Sequence, residues 1–120
     1  MKLSHAILEG AQIVKQGQSV YIQVENGQVC CCALGMAKLA VGAYTVVHCE
    51  PYDPYFNTVI KEDIENLFPI LSEVYECFTS IRYQIIFWND NLHLPPHEIA
   101  MRVASIECKL ARGENLNKLD

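Results

Sequence analysis

Gln28-Val29-Cys30-Cys31-Cys32-Ala33-Leu34-Gly35-Met36-Ala37-Lys38-Leu39-Ala40-Val41-Gly42 is the stretch that decides how this chain folds. From Cys32 to Val41 the residues Ala33, Leu34, Met36, Ala37, Leu39 and Ala40 predict a helix that is apolar almost all round, closed by Gly42 just after its C-cap. A helix without a polar face belongs in an interior, so this one is expected at the centre of the fold. The wider window Val29 to Val47 carries one charge, Lys38, and two glycines, Gly35 and Gly42. A bilayer span of that length is disfavoured, because a central Lys costs roughly 3 kcal/mol on insertion and Gly, Ala and Cys return little. The window therefore reads as a buried segment.

Immediately upstream, Val20-Tyr21-Ile22-Gln23-Val24 is β-branched and aromatic, and Asn26-Gly27 follows at once. Asn-Gly readily takes the positive φ values of a type I′ turn, so Val20–Val24 and Gln28–Cys31 are expected to pair as a short hairpin. Two strands alone are marginal, and helices must cover them. Further upstream, Ser4 reads as an N-cap with Leu3 and Leu8 as a hydrophobic staple, and Leu3, Ile7, Ala11 and Val14 keep helical spacing. A first helix over 5–15 is predicted, ended by Gln16-Gly17-Gln18.

Downstream, His48 to Asn57 holds Pro51, Pro54 and the rings of Tyr52, Tyr55 and Phe56, and reads as an ordered surface loop. Ile60, Ile64, Leu67, Leu71, Val74 and Phe78 then form a helical stripe that Pro69 interrupts near Phe68. Thr79-Ser80 can cap a further helix with Ile81, Ile85 and Trp88 on one face and Asn89-Asp90-Asn91 at its end. Pro95-Pro96 opens the last helix, striped by Ile99, Val103, Ile106 and Leu110, with Glu98 and Arg102 as an exposed pair and Arg112-Gly113 as a stop signal. The expected fold is mainly α (α+β), a bundle of five to six helices with one short β-hairpin. Residues 1–113 form one domain in this reading, and 114–120 a frayed tail.

The chain's 120 residues carry 9 Lys+Arg against 14 Asp+Glu, a net charge of −5, and 51% are hydrophobic. That supports one packed core and argues against disorder. The acidic balance disfavours a nucleic-acid partner, which needs cations to neutralise phosphates, and disfavours an anionic membrane surface for the same reason. Ser4, His5, Glu9, Gly10 and Gln12 divide the first apolar residues, so no secretion signal is read. Six cysteines (30, 31, 32, 49, 77 and 108) are accordingly expected as free thiols in a reducing cytoplasm.

Three features taken together, Leu3-Ser4-His5-Ala6-Ile7-Leu8-Glu9-Gly10-Ala11, Cys32-Ala33-Leu34-Gly35-Met36-Ala37, and Trp88-Asn89-Asp90 followed by Ile99-Ala100 and Ile106-Glu107, resemble a family of small uncharacterised bacterial and prophage-encoded proteins. The family pattern has a Cys-Ala-Leu-Gly helix start and a later Asn-Asp; this chain departs from it at Met36, where Ala is usual. The resemblance implies a mostly helical fold and assigns no activity.

Cys32 sits where the strand passes into the helix, beside unpaired backbone N–H groups that can stabilise a thiolate. With His48, His93 or His97 as base and Asp90 as orienter it would make a cysteine nucleophile; as a small apolar residue it would simply fill a tight strand–helix junction. The second reading is preferred. No Cys-x-x-Cys spacing occurs, His48-Cys49 are adjacent, and two prolines separate His93 from His97, so no metal and no other cofactor is expected. Asn89 and Asp90 are favoured capping residues. A structural motif of Cys32, Gly35, Asn89 and Asp90 is expected, in which Asp90 accepts the free N–H groups of the Cys32 helix. Tyr52, Tyr55 and Phe56 form a candidate binding surface or an ordinary core cover. The functional expectation is a non-catalytic module that binds a protein partner or self-associates as a homo-oligomer; the alternative is a thiol enzyme using Cys32, His48 and Asp90.

Overall fold

The structure is a computed structural model that describes residues 1–18, 22–25, 28–41, 64, 66–76 and 79–114. Its centre is the predicted strand-to-helix passage. Strand β3 (Gln28–Cys31) pairs antiparallel with β2 (Ile22–Glu25), matching Ile22 to Cys31 and Glu25 to Gln28. That register leaves two residues, Asn26 and Gly27, between the partners, the spacing an Asn-Gly turn requires. Cys30 and Cys31 are buried. The chain then enters α2 (Ala33–Ala40) with Cys32 as the extended N-cap residue, and every residue from Ala33 to Leu39 is buried, Lys38 included. The expectation of a central apolar helix holds to within a residue at each end.

Helix α1 (Leu3–Ala11) departs from its predicted bounds at both ends. It begins two residues early, with Lys2 as an extended N-cap that offers no side-chain bond; Ser4 lies buried inside the first turn and caps nothing. Leu3 is buried and Leu8 exposed, so the two form no staple. Leu3, Ala6, Ile7 and Gly10 make the buried face instead. The helix also stops at Ala11 rather than 15, because Lys15–Gln16 is a strand, β1, lying parallel to β3 with Lys15 opposite Cys30 and Gln16 opposite Cys31. The sheet is therefore three-stranded in the order β1-β3-β2. Backbone pairing with β3, continued by Gly17 N–H to Cys31 C=O at 2.8 Å, outweighs one more helical turn that would have carried the exposed Ile13.

Helices α1 and α2 cross with their backbones in contact at Gly10. A Cβ added there would sit 2.6 Å from the Cα of Met36 and closer still to its carbonyl, so only glycine permits the crossing. Leu3, Ile7, Leu34 and Ala37 belong to one continuous core with Ile99, Val103 and Ile106 of the last helix, α5 (Pro96–Ala111), which lies on the other flank of α1.

The helical stripe after residue 60 holds only in part. Residues 64, 66 and 67 are helical, the helix breaks at Phe68-Pro69 as predicted, and a single turn, α3 (Ile70–Glu73), follows. The stripe predicts helix to Phe78, but Val74 turns extended and Tyr75–Glu76 (β4) pairs antiparallel with Thr79–Ser80 (β5). This small ladder places Ser80 at the mouth of α4 (Ile81–Asp90), where its Oγ accepts from Tyr83 N–H at 3.4 Å, the expected cap. Ile81 and Ile85 are buried, and Trp88 is half-buried beneath the Arg102 guanidinium, 5.3 Å from the ring centroid. Helix α5 (Pro96–Ala111) has Pro96 at its first position. It ends with Gly113 at φ +79°, Gly113 N–H on Leu110 C=O and Glu114 N–H on Lys109 C=O, a Schellman motif. Residues 115–120, most of the expected tail, lie outside the described residues. The chain is thus mainly helical with a short hairpin, and among the described residues no helix is long and apolar enough to cross a membrane.

Candidate functional site

At the junction of β3 and α2 the first backbone N–H groups of the helix need acceptors. Asn89, in the last turn of α4 and only 1% exposed, supplies one: its Oδ1 accepts from Ala33 N–H at 3.1 Å. The same oxygen accepts from Gln16 Nε2 at 3.0 Å, while Asn89 Nδ2 donates to Gly17 C=O at 2.9 Å and to Asp90 Oδ1 at 2.8 Å. Two lone pairs and two N–H groups are all in use. Gln16 continues the chain of bonds by donating to Leu94 C=O at 2.7 Å, in the connection between α4 and α5. One carboxamide therefore ties the start of α2, the end of β1 and the α4–α5 corner together.

This arrangement joins the Cys-Ala-Leu-Gly and Asn-Asp motifs, as the sequence suggests, but through a different residue. The acceptor for Ala33 N–H is Asn89, and Asp90 accepts from the Asn89 amide. An amide fits the place because it must accept from an N–H and donate to a C=O at once, which a carboxylate cannot do. Gln16 is the participant that sequence reasoning missed. Beside Gly17 and Gln18 it looks like a turn residue, and only its pairing next to Cys31 turns the side chain toward Asn89.

Cys32 is 8% exposed. Burial pushes its thiol from an ordinary 9.0 up to about 11; the N–H groups of Gly35 and Leu34 pull in the opposite direction with less effect, and the Asp90 charge adds to the rise. At pH 7 such a thiol stays protonated. The helix N-terminus thus fails to activate the sulfur, because desolvation outweighs it. Of the proposed partners, Asp90 is brought near Cys32 and acts against the thiolate. His93 and His97 are exposed, His93 in the left-handed region at φ 53°. His48, Tyr52, Tyr55 and Phe56 lie outside the described residues. Cys30, Cys31 and Cys32 are buried and form no disulfide, Cys108 is exposed and forms none either, and among the described residues no three His, Cys, Asp or Glu side chains stand together as metal ligands.

A second feature lies on the outside of α4. Tyr83 and Phe87, one turn apart and opposite the buried Ile81 and Ile85, are 65% and 50% exposed, and Leu92 just past the helix end is exposed as well. A soluble domain usually scatters its exposed apolar residues, whereas these rings repeat on one face. Comparison with protein-family models, with curated proteins and with solved structures finds no match to the chain.

Proposed function

We propose that this protein is a non-catalytic interaction module of the cytoplasm that binds a protein partner or a second copy of itself through the outer face of α4. The observation that carries the reading is the exposed pair Tyr83 and Phe87. Aromatic side chains are enriched at the energetic centres of interfaces, since each buries a large area for little conformational entropy. The polar cluster around Asn89 supports the same reading, because its hydrogen-bonding capacity is spent on holding elements together. Catalysis by Cys32 would need a sulfur that ionises and meets substrate; a buried, protonated thiol suits packing at the strand–helix junction.

The test compares the wild-type chain with a Tyr83→Ser/Phe87→Ser double variant in sedimentation velocity over a hundredfold concentration range and in affinity capture followed by identification of bound protein. The expected result is a concentration-dependent oligomer, or one reproducible partner, lost in the variant while its melting temperature stays unchanged. A wild type that stays monomeric throughout and captures nothing that the variant does not capture equally would overturn the proposal.

A further inference from the structure

We draw no further inference here: the strongest candidate, the exposed aromatic face of α4 at Tyr83 and Phe87, already carries the functional reading above, and nothing in the structure shows what covers it.

Discussion

Replacing Asn89 by Ala tests the central construction of this fold. The substitution strands two buried main-chain groups, Ala33 N–H and Gly17 C=O, and removes a partner each from Gln16 and Asp90. A buried group left without a partner costs about 1–3 kcal/mol, so the two backbone groups alone set a range of about 2–6 kcal/mol. Gln16 and Asp90 are only half-buried and can turn to water, so they add little. We expect a loss of about 3–5 kcal/mol, a large part of the 5–15 kcal/mol that holds typical domains together. Urea denaturation followed by circular dichroism measures it, with the slope of the transition checked for constancy. Asn89→Asp sharpens the test: it keeps the shape and the acceptor for Ala33 N–H but faces Gly17 C=O and the Asp90 carboxylate with a buried charge. Its carboxyl is raised in the folded state, so the protonated form is favoured there and the variant loses stability as pH rises above the ordinary carboxyl value of about 4. An Asn89→Ala protein within about 1 kcal/mol of wild type would refute the reasoning.

Gly10→Ala should destabilise by at least about 2 kcal/mol although alanine is the better helix former by up to about 1 kcal/mol, because the new methyl overlaps the backbone of Met36; chemical denaturation decides the sign. Iodoacetamide at neutral pH should label Cys108 in the folded protein and leave Cys32 unmodified, with peptide mass mapping as the readout. Since the Cys32 thiol is raised from 9.0 to about 11 on folding, its contribution to stability is complete below pH 9 and is lost as pH climbs toward 11, a part of the alkaline decline on the order of 2–3 kcal/mol that Cys32→Ala should remove. His93 holds a positive φ, so His93→Gly should leave the melting temperature equal or slightly raised, whereas the β-branched His93→Val should lower stability by about 1–2 kcal/mol.

Much of this architecture is a local matter and was open to reading residue by residue. The hairpin register follows from Asn26-Gly27, the break at Phe68 from Pro69, the start of α4 from Ser80, and both ends of α5 from Pro96 and Gly113. Each rests on backbone sterics or on a bond within a few residues, which composition and order suffice to specify. Two of the errors share a cause. Helix α1 stops at Ala11 because β3, a strand 12 residues or more further along, takes Lys15 and Gln16 into its ladder. The stripe through Val74 and Phe78 gives way because Tyr75 and Glu76 pair with Thr79 and Ser80. Helical periodicity measures how well a segment could coil, and says nothing of the backbone partners that compete for it.

The candidate site divides in the same way. That Cys32 ends a strand and starts a helix, and that the Asn-Asp pair meets that helix, follow from the order of residues along the chain. Which of two neighbouring side chains makes the bond does not, since it depends on the rotation of α4 about its axis, set by Ile81 and Ile85 entering the core. The thiol's fate was likewise undecided by its place at a helix N-terminus. Desolvation and the dipole pull in opposite directions, and only the packing of distant segments over Cys32 makes desolvation the larger. Sequence alone thus determined the hairpin register, the break at Phe68, the start of α4 and both ends of α5, because those effects act within a few residues; the clamp at Asn89, the touch of Gly10 on Met36 and the silence of Cys32 were decided by tertiary structure, because each depends on a group far away in the chain.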